Sequence, residues 1–458
     1  MEVTKPQSNE QVSLSEAYRT VPIPQGASWF RRMLAFAGPG FMVSVGYMDP
    51  GNWATDLQGG SKFGYTLIWV IMISNLMAIF LQTLCARLGL VTGKDLAQAC
   101  RDYYCKPVAV ALWLTCEVAI IACDLAEVIG SAVALKLLFQ IPLVWGVIIT
   151  SLDVLILLGL MRYGFRKLEA VVVSLVFTVA ACFVMNIWLA RPEWGGVLLG
   201  FRPILPNAEA LYISLGILGA TVMPHNLYLH SSIVQTRDTA KEGMGLKQAI
   251  RWNTFDTVFA LGAAFFVNAA ILVLAGSAFH RGGVEVTELE QAHQMLTPLL
   301  GGASATAFAI ALLASGQSST ITGTLAGQIV MEGFLRVKVA PWLRRAVTRG
   351  IAIVPALVLI TAKGGSGTVD LLVLSQVVLS MQLSFATFPL VMFTSDKSKM
   401  GEHANPFWAK ITGYAICFAI ALLNMYLLNQ LIGGLWLGVA VSVVILFAGW
   451  VKWGYRGK

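Results

Sequence analysis

The chain has 458 residues, 57% of them hydrophobic and 12% charged, where a soluble domain carries roughly 25% charged residues. This excludes an ordinary soluble domain and points to an all-α polytopic membrane protein whose first partner is the lipid bilayer. The net charge of +8 would suit a nucleic acid, but the concentration of Lys and Arg on one side of the membrane argues against that partner and implies an inner-leaflet surface.

Residues 1–28 are polar and carry Pro6, Pro22 and Pro24. They are expected to form a disordered cytoplasmic tail before a single transmembrane domain over 29–455. A spanning helix needs about 20 apolar residues. About twelve segments qualify: 34–58, 64–90, 108–138, 141–161, 168–190, 207–236, 253–278, 303–334, 346–362, 368–394, 408–428 and 432–452. With the N-terminus inside, 26 of the 32 Lys and Arg residues fall on the cytoplasmic side, as the positive-inside rule requires. Both termini are therefore expected in the cytoplasm, and the protein in the cell (inner or plasma) membrane. The seven cysteines show no Cys-x-x-Cys pair and are read as packing residues, without disulfides or a thiolate metal site.

The first segment contains Asp49-Pro50-Gly51-Asn52 and the sixth Met223-Pro224-His225-Asn226. Both place X-Pro-X-Asn inside an apolar stretch, and an odd number of segments separates the two, so the copies run in opposite directions. Paired interrupted helices in inverted halves point to a secondary transporter with a midplane site. Each proline breaks its helix, and irregular backbone at membrane depth is tolerated where it lines a cavity or is buried in protein. The breaks free carbonyls near Gly46 and Ala220. Around them stand the Asp49 carboxylate, the Asn52 amide oxygen and the Met223 thioether. Oxygen ligands alone would suit Na⁺, Ca²⁺ or Mg²⁺; a thioether is useful to a softer ion such as Mn²⁺, Fe²⁺, Co²⁺ or Cd²⁺. Gln82, Asn268 and Gln376, in segments two, seven and ten, are polar groups that could complete the shell as a gate closes, or hold helices together.

The third segment holds Glu117, Asp124 and Glu127, whose spacing puts all three on one helical face. Acids facing lipid are costly, so this face looks into protein or water and forms either a chain of proton acceptors or a structural polar face. Arg344, Arg345 and Arg349 open the ninth segment. His225 and His230 in the sixth lie about 140° apart around a helix and cannot share one ion.

Asp-Pro-Gly-Asn, "MPHNLYLHS" (223–231) and "GQSSTITGTLAGQIVMEGF" (316–334) together resemble the Nramp family and its bacterial MntH branch, over about residues 30–430. The resemblance implies a LeuT-like fold with helices 1–5 (about 34–190) and 6–10 (about 207–394) as inverted repeats, broken helices 1 and 6, and extra helices at 408–428 and 432–452. It implies that Asp49, Asn52, Met223 and the carbonyls of Gly46 and Ala220 hold a dehydrated metal, with Gln376 the best further candidate. It assigns to the proton route Asp49, Glu117, Asp124, Glu127, His230 and Arg344 or Arg345; Arg349 is left to charge topology. His225 would line the outer vestibule, and Gln82 and Asn268 the gate. The implied activity is proton-coupled import of Mn²⁺ or Fe²⁺, with Co²⁺ and Cd²⁺ accepted, by a monomer without a cofactor. Family members often carry Ala where this chain has Gly46. The alternatives are a Na⁺-coupled amino-acid symporter of the same fold, which Asp49 disfavours by repelling a substrate carboxylate, and a Mg²⁺-selective relative, which Met223 disfavours. No enzyme motif stands at membrane depth.

Overall fold

Proline sets where the first and sixth segments come apart. In the first, Pro39–Ser44 is helical, Val45–Met48 tightens into a 3₁₀ turn, Asp49 is extended, and Pro50 opens a second helix, Pro50–Phe63. In the sixth, Ala208–Val222 ends at Met223 and Pro224 opens Pro224–Ile233. Both prolines take the first helical position, where the missing N–H has no intrahelical partner to lose. Met223 holds φ +32°, a left-handed value that costs a non-glycine residue about 1–3 kcal/mol and persists where packing enforces it.

These observations come from a computed structural model that describes residues 13–23, 28–150, 152, 153, 159, 160, 163–238, 245–337, 339–363 and 368–432. The second and third segments are Ile68–Thr92 and Lys106–Phe139. The fourth is described over Leu143–Thr150, and the fifth is Phe165–Ala190. Then come Leu246–Ala278, Gly302–Leu335, Pro341–Lys363, Thr368–Ser395 and Phe407–Ile432, the seventh to eleventh. The expected twelfth, 432–452, lies almost wholly outside the described residues. Among the described residues, seven helices are long and apolar enough to cross a membrane. The architecture is the LeuT-like one, two inverted five-helix repeats with the first helix of each broken.

Small residues let the broken helices lie close to their neighbours. A methyl on Gly219 would meet the backbone of Gln376 and Ser380 in the tenth segment, and one on Gly130 in the third would strike the Pro50 ring. Such contacts are how helices pack where no hydrophobic drive separates protein from lipid.

The disordered-tail expectation is corrected over residues 13–23. Val21–Pro22 (β1) pairs in parallel with Arg237–Asp238 (β2), at the end of the sixth segment. The Arg19 N–H donates to the Gln235 carbonyl at 3.1 Å, and the Leu14 N–H to Glu332 Oε2 at 3.0 Å. Leu14, Ala17, Val21 and Ile23 are buried. Four apolar side chains among polar ones make a short packing face that composition averages away. Next to this strap Arg237 is fully buried. It meets Glu169 of the fifth segment at 2.9 Å and donates to the Phe36 and Ala37 carbonyls at 3.2 and 3.0 Å. Asp256 of the seventh accepts from the Gly40 N–H at 2.7 Å. These contacts tie the first, fifth, sixth and seventh segments together on the face that carries the strap, the N-terminal face.

Candidate metal centre

The two breaks meet. Asp49 caps Pro50–Phe63, its Oδ1 accepting from the Asn52 N–H at 2.8 Å, which turns the carboxylate towards Asn52. Asn52 Nδ2 then donates to Asp49 Oδ1 at 2.7 Å, to the Gly46 carbonyl at 3.1 Å and to the Ala220 carbonyl at 3.2 Å. One amide nitrogen with two protons thus stands where three oxygens from both broken helices converge. The other freed carbonyls have fixed donors: Trp53 Nε1 (3.1 Å) and Ser315 Oγ at Met48, and Asn268 Nδ2 (2.7 Å) at Tyr47. Trp53 is locked by edge-on contacts with Phe183 and Phe308, at 4.8 and 5.1 Å between ring centroids, so the hydrophobic core fixes the geometry of the break.

Met223 is fully buried and packs on Ala119 and Cys123 of the third segment and Leu379 of the tenth. A methyl on Gly46 would lie 3.1 Å from Met223 Sδ, so the sulfur is beside the first break. Asp49 Oδ2, Asn226 Oδ1 and Gln376 Oε1 are buried without hydrogen-bond partners. A buried oxygen left unpaired costs about 1–3 kcal/mol, and a cation would recover it. Among the described residues no three His, Cys, Asp or Glu side chains gather to hold a metal; the donor set here is one carboxylate, amides, carbonyls and a thioether.

Asn268 lies 3.4 Å from Asn52 Oδ1, and Gln376 packs against Gly51, so both reach the shell. Gln82 does not. Its amide donates to the Tyr47 hydroxyl at 2.9 Å, and its oxygen faces His230 Nδ1 at 3.0 Å. Both ends of the Gln82 amide are thus taken up by Tyr47 and His230. His225 is buried rather than on an open vestibule wall.

Beside the shell, Glu127 Oε2 accepts from Thr320 Oγ1 at 3.2 Å and lies 3.6 Å from Arg349 Nη2. Arg349 also donates to Thr320 Oγ1 and reaches Asp153 Oδ2 of the fourth segment, both at 2.8 Å. Arg344 meets Glu117 at 2.9 Å, and Glu117 accepts from Trp113 Nε1 at 3.0 Å. Setting Arg349 aside as topology is therefore corrected: it is the buried partner of Glu127. Its other partner, Asp153, sits on the fourth segment, a pairing no local pattern reveals. The Arg345 side chain lies outside the described ones. Asp124 is fully buried on the third segment, the helix of Glu117 and Glu127.

The family model for natural resistance-associated macrophage protein-like (Nramp) proteins matches residues 40–430. The chain belongs to the Nramp family. Among Nramp relatives, the divalent metal cation transporter MntH of Nostoc sp. is 58% identical over 430 residues, covering 93% of this chain and 97% of the relative. The protein of the same description from Agrobacterium fabrum is 56% identical over 431 residues, 93% and 94% of the two chains. A solved Nramp structure, the Eremococcus coleocola manganese transporter, superposes with a TM-score of 0.88 at 39% identity over 97% of this chain and 98% of that one. Mhp1, a nucleobase-cation-symport-1 transporter, matches with a TM-score of 0.59 at 14% identity, covering 98% of this chain and 96% of that one; it shares the fold alone.

Proposed function

We propose that this chain imports divalent transition metal ions, Mn²⁺ or Fe²⁺ first and Co²⁺ and Cd²⁺ as well, together with protons, by alternating access across a cell membrane. The observation that carries the reading is the convergence of Asp49, Gly46 and Ala220 oxygens on one atom, with the Met223 sulfur alongside. The names of the Nramp relatives support it. In this reading the N-terminal face is cytoplasmic, which the excess of Lys and Arg in its loops favours, and the monomer is the working unit.

A hydrated ion enters from outside and exchanges waters for Asp49, the two carbonyls and Met223, while the Asn52 amide turns its oxygen inward. The sulfur favours Mn²⁺ and softer ions over Ca²⁺ and Mg²⁺. Helices 1, 2, 6 and 7 then move against the others, and the strap-side contacts release. A proton taken up at Asp49 passes by Asp124 to the Glu127–Arg349–Asp153 cluster. Glu117 with Arg344, and His230 with Gln82 and Tyr47, flank the way out. An inside-negative potential drives both charges inward by about 2.3 kcal/mol per unit charge per 100 mV. The test is Mn²⁺ uptake into proteoliposomes loaded with a pH dye. Uptake with internal acidification supports the reading. Uptake without acidification removes the coupling, and inhibition of uptake by amino acids would favour the symporter alternative.

A further inference from the structure

The two breaks are alike in one more respect than the residues assigned to the ion. In Asp49-Pro50-Gly51-Asn52 the asparagine folds back on the residue three before it, Asn52 Nδ2 to Asp49 Oδ1 at 2.7 Å. In Met223-Pro224-His225-Asn226 the same fold-back recurs, Asn226 Nδ2 to Met223 Sδ at 3.6 Å. Asn226 is thus the pseudo-symmetry mate of Asn52, as Met223 is of Asp49. Its side chain is fully buried and its Oδ1 has no hydrogen-bond partner. It also lies against the first break: a Cβ on Gly46 would collide with Asn226 Nδ2, so the absent side chain at 46 opens the room the amide fills.

We infer that Asn226 is a further ligand of the transported ion, donating its Oδ1 so that each break supplies one asparagine. In the structure its N–H donates to the Met223 thioether and its oxygen is left unpaired. An ion takes over the sulfur lone pair and pairs the oxygen, removing a buried unsatisfied acceptor. Structural packing alone would account for the buried position, but an amide oxygen with no donor is a poor packing element. An unbranched apolar residue would fill that space at lower cost.

This inference rests on the metal-import reading, and the experiment separates the two. Mn²⁺ is titrated calorimetrically into the purified full chain and into Asn226→Ala and Asn226→Asp. Binding by the unmodified chain tests the metal reading; the difference between variants tests Asn226. Asn226→Ala is expected to weaken Mn²⁺ at least tenfold at an unchanged melting temperature. Asn226→Asp, with a carboxylate oxygen in the same place, should bind Mn²⁺ at least as tightly as the unmodified chain and more steeply with rising pH. A folded Asn226→Ala that binds within twofold of the unmodified chain overturns the inference. Should that variant fail to fold, loss of Mn²⁺ binding in Asn226→Asp overturns it, and retained or tighter binding upholds it.

Discussion

Arg349→Ala is the perturbation whose size the structure lets one work out. Arg349 is buried between two acids, 2.8 Å from Asp153 and 3.6 Å from Glu127, and all three side chains are at most 4% exposed. Removing the guanidinium also strips a donor from Thr320. Breaking a buried ion pair from one side costs about 3–5 kcal/mol, because the partner's charge is left uncompensated. Here two carboxylates are left, so the upper end applies. Thermal melting in detergent at pH 7.5 should show a large loss for Arg349→Ala. Asp153→Asn in the same chain should restore part of it, since the double variant leaves one unpaired acid instead of two; contacting residues couple by about 0.5–3 kcal/mol. Arg349 reaches Glu127, Thr320 and Asp153, on the proposed proton route, so Mn²⁺ affinity should stay within a few-fold while metal-driven acidification is lost. A melt unchanged from the native chain, or intact acidification in Arg349→Ala, would refute the reasoning.

Met223→Ala should leave Mn²⁺ uptake largely in place, weaken Cd²⁺ competition, and admit more Ca²⁺ or Mg²⁺, read in competition uptake; unmoved selectivity would remove the sulfur as discriminator. Asp95, which caps Leu96–Tyr103 outside the spanning segments, is pushed up to about 6 by burial, against its hydrogen bond from the Gln98 N–H. A raised carboxyl favours the protonated fold, so stability present below about pH 4 is lost as pH rises through about 6, by about 3 kcal/mol for a two-unit shift. Asp95→Asn keeps the cap and should melt higher at pH 7.5 with little gain at pH 4; equal gain at both would contradict the assignment. Val21→Asp should expel the strap, seen as faster hydrogen exchange at residues 235–238 with the exchange of Trp53 and its neighbours unchanged.

The breaks were legible because proline and asparagine in an apolar run have few uses, and the repeat at two places removed the ambiguity. Asp49, Asn52 and the two carbonyls lie within one turn of those prolines, so locating the breaks located them. What the sequence left open depends on partners far along the chain. Arg349 needs Asp153 and Glu127, from two other segments, before it is more than a loop charge. Gln82 is polar at membrane depth like Asn268, but its amide is taken up by the Tyr47 hydroxyl and His230, partners that no local pattern names. Residues 13–23 read as tail because their four buried apolar side chains gain meaning only against the ends of the sixth and eighth segments. Trp29–Phe36 falls across the boundary drawn at 34 because Gly38, at φ +147°, turns the chain before Pro39.

The most direct measurement is an anomalous-scattering map from crystals soaked in Mn²⁺. A single peak should lie between the breaks, within about 2.6 Å of an Asp49 oxygen and of at least one of the Gly46 and Ala220 carbonyls, with Met223 Sδ also in contact. A peak touching one broken helix alone, or lying away from both, would contradict the account.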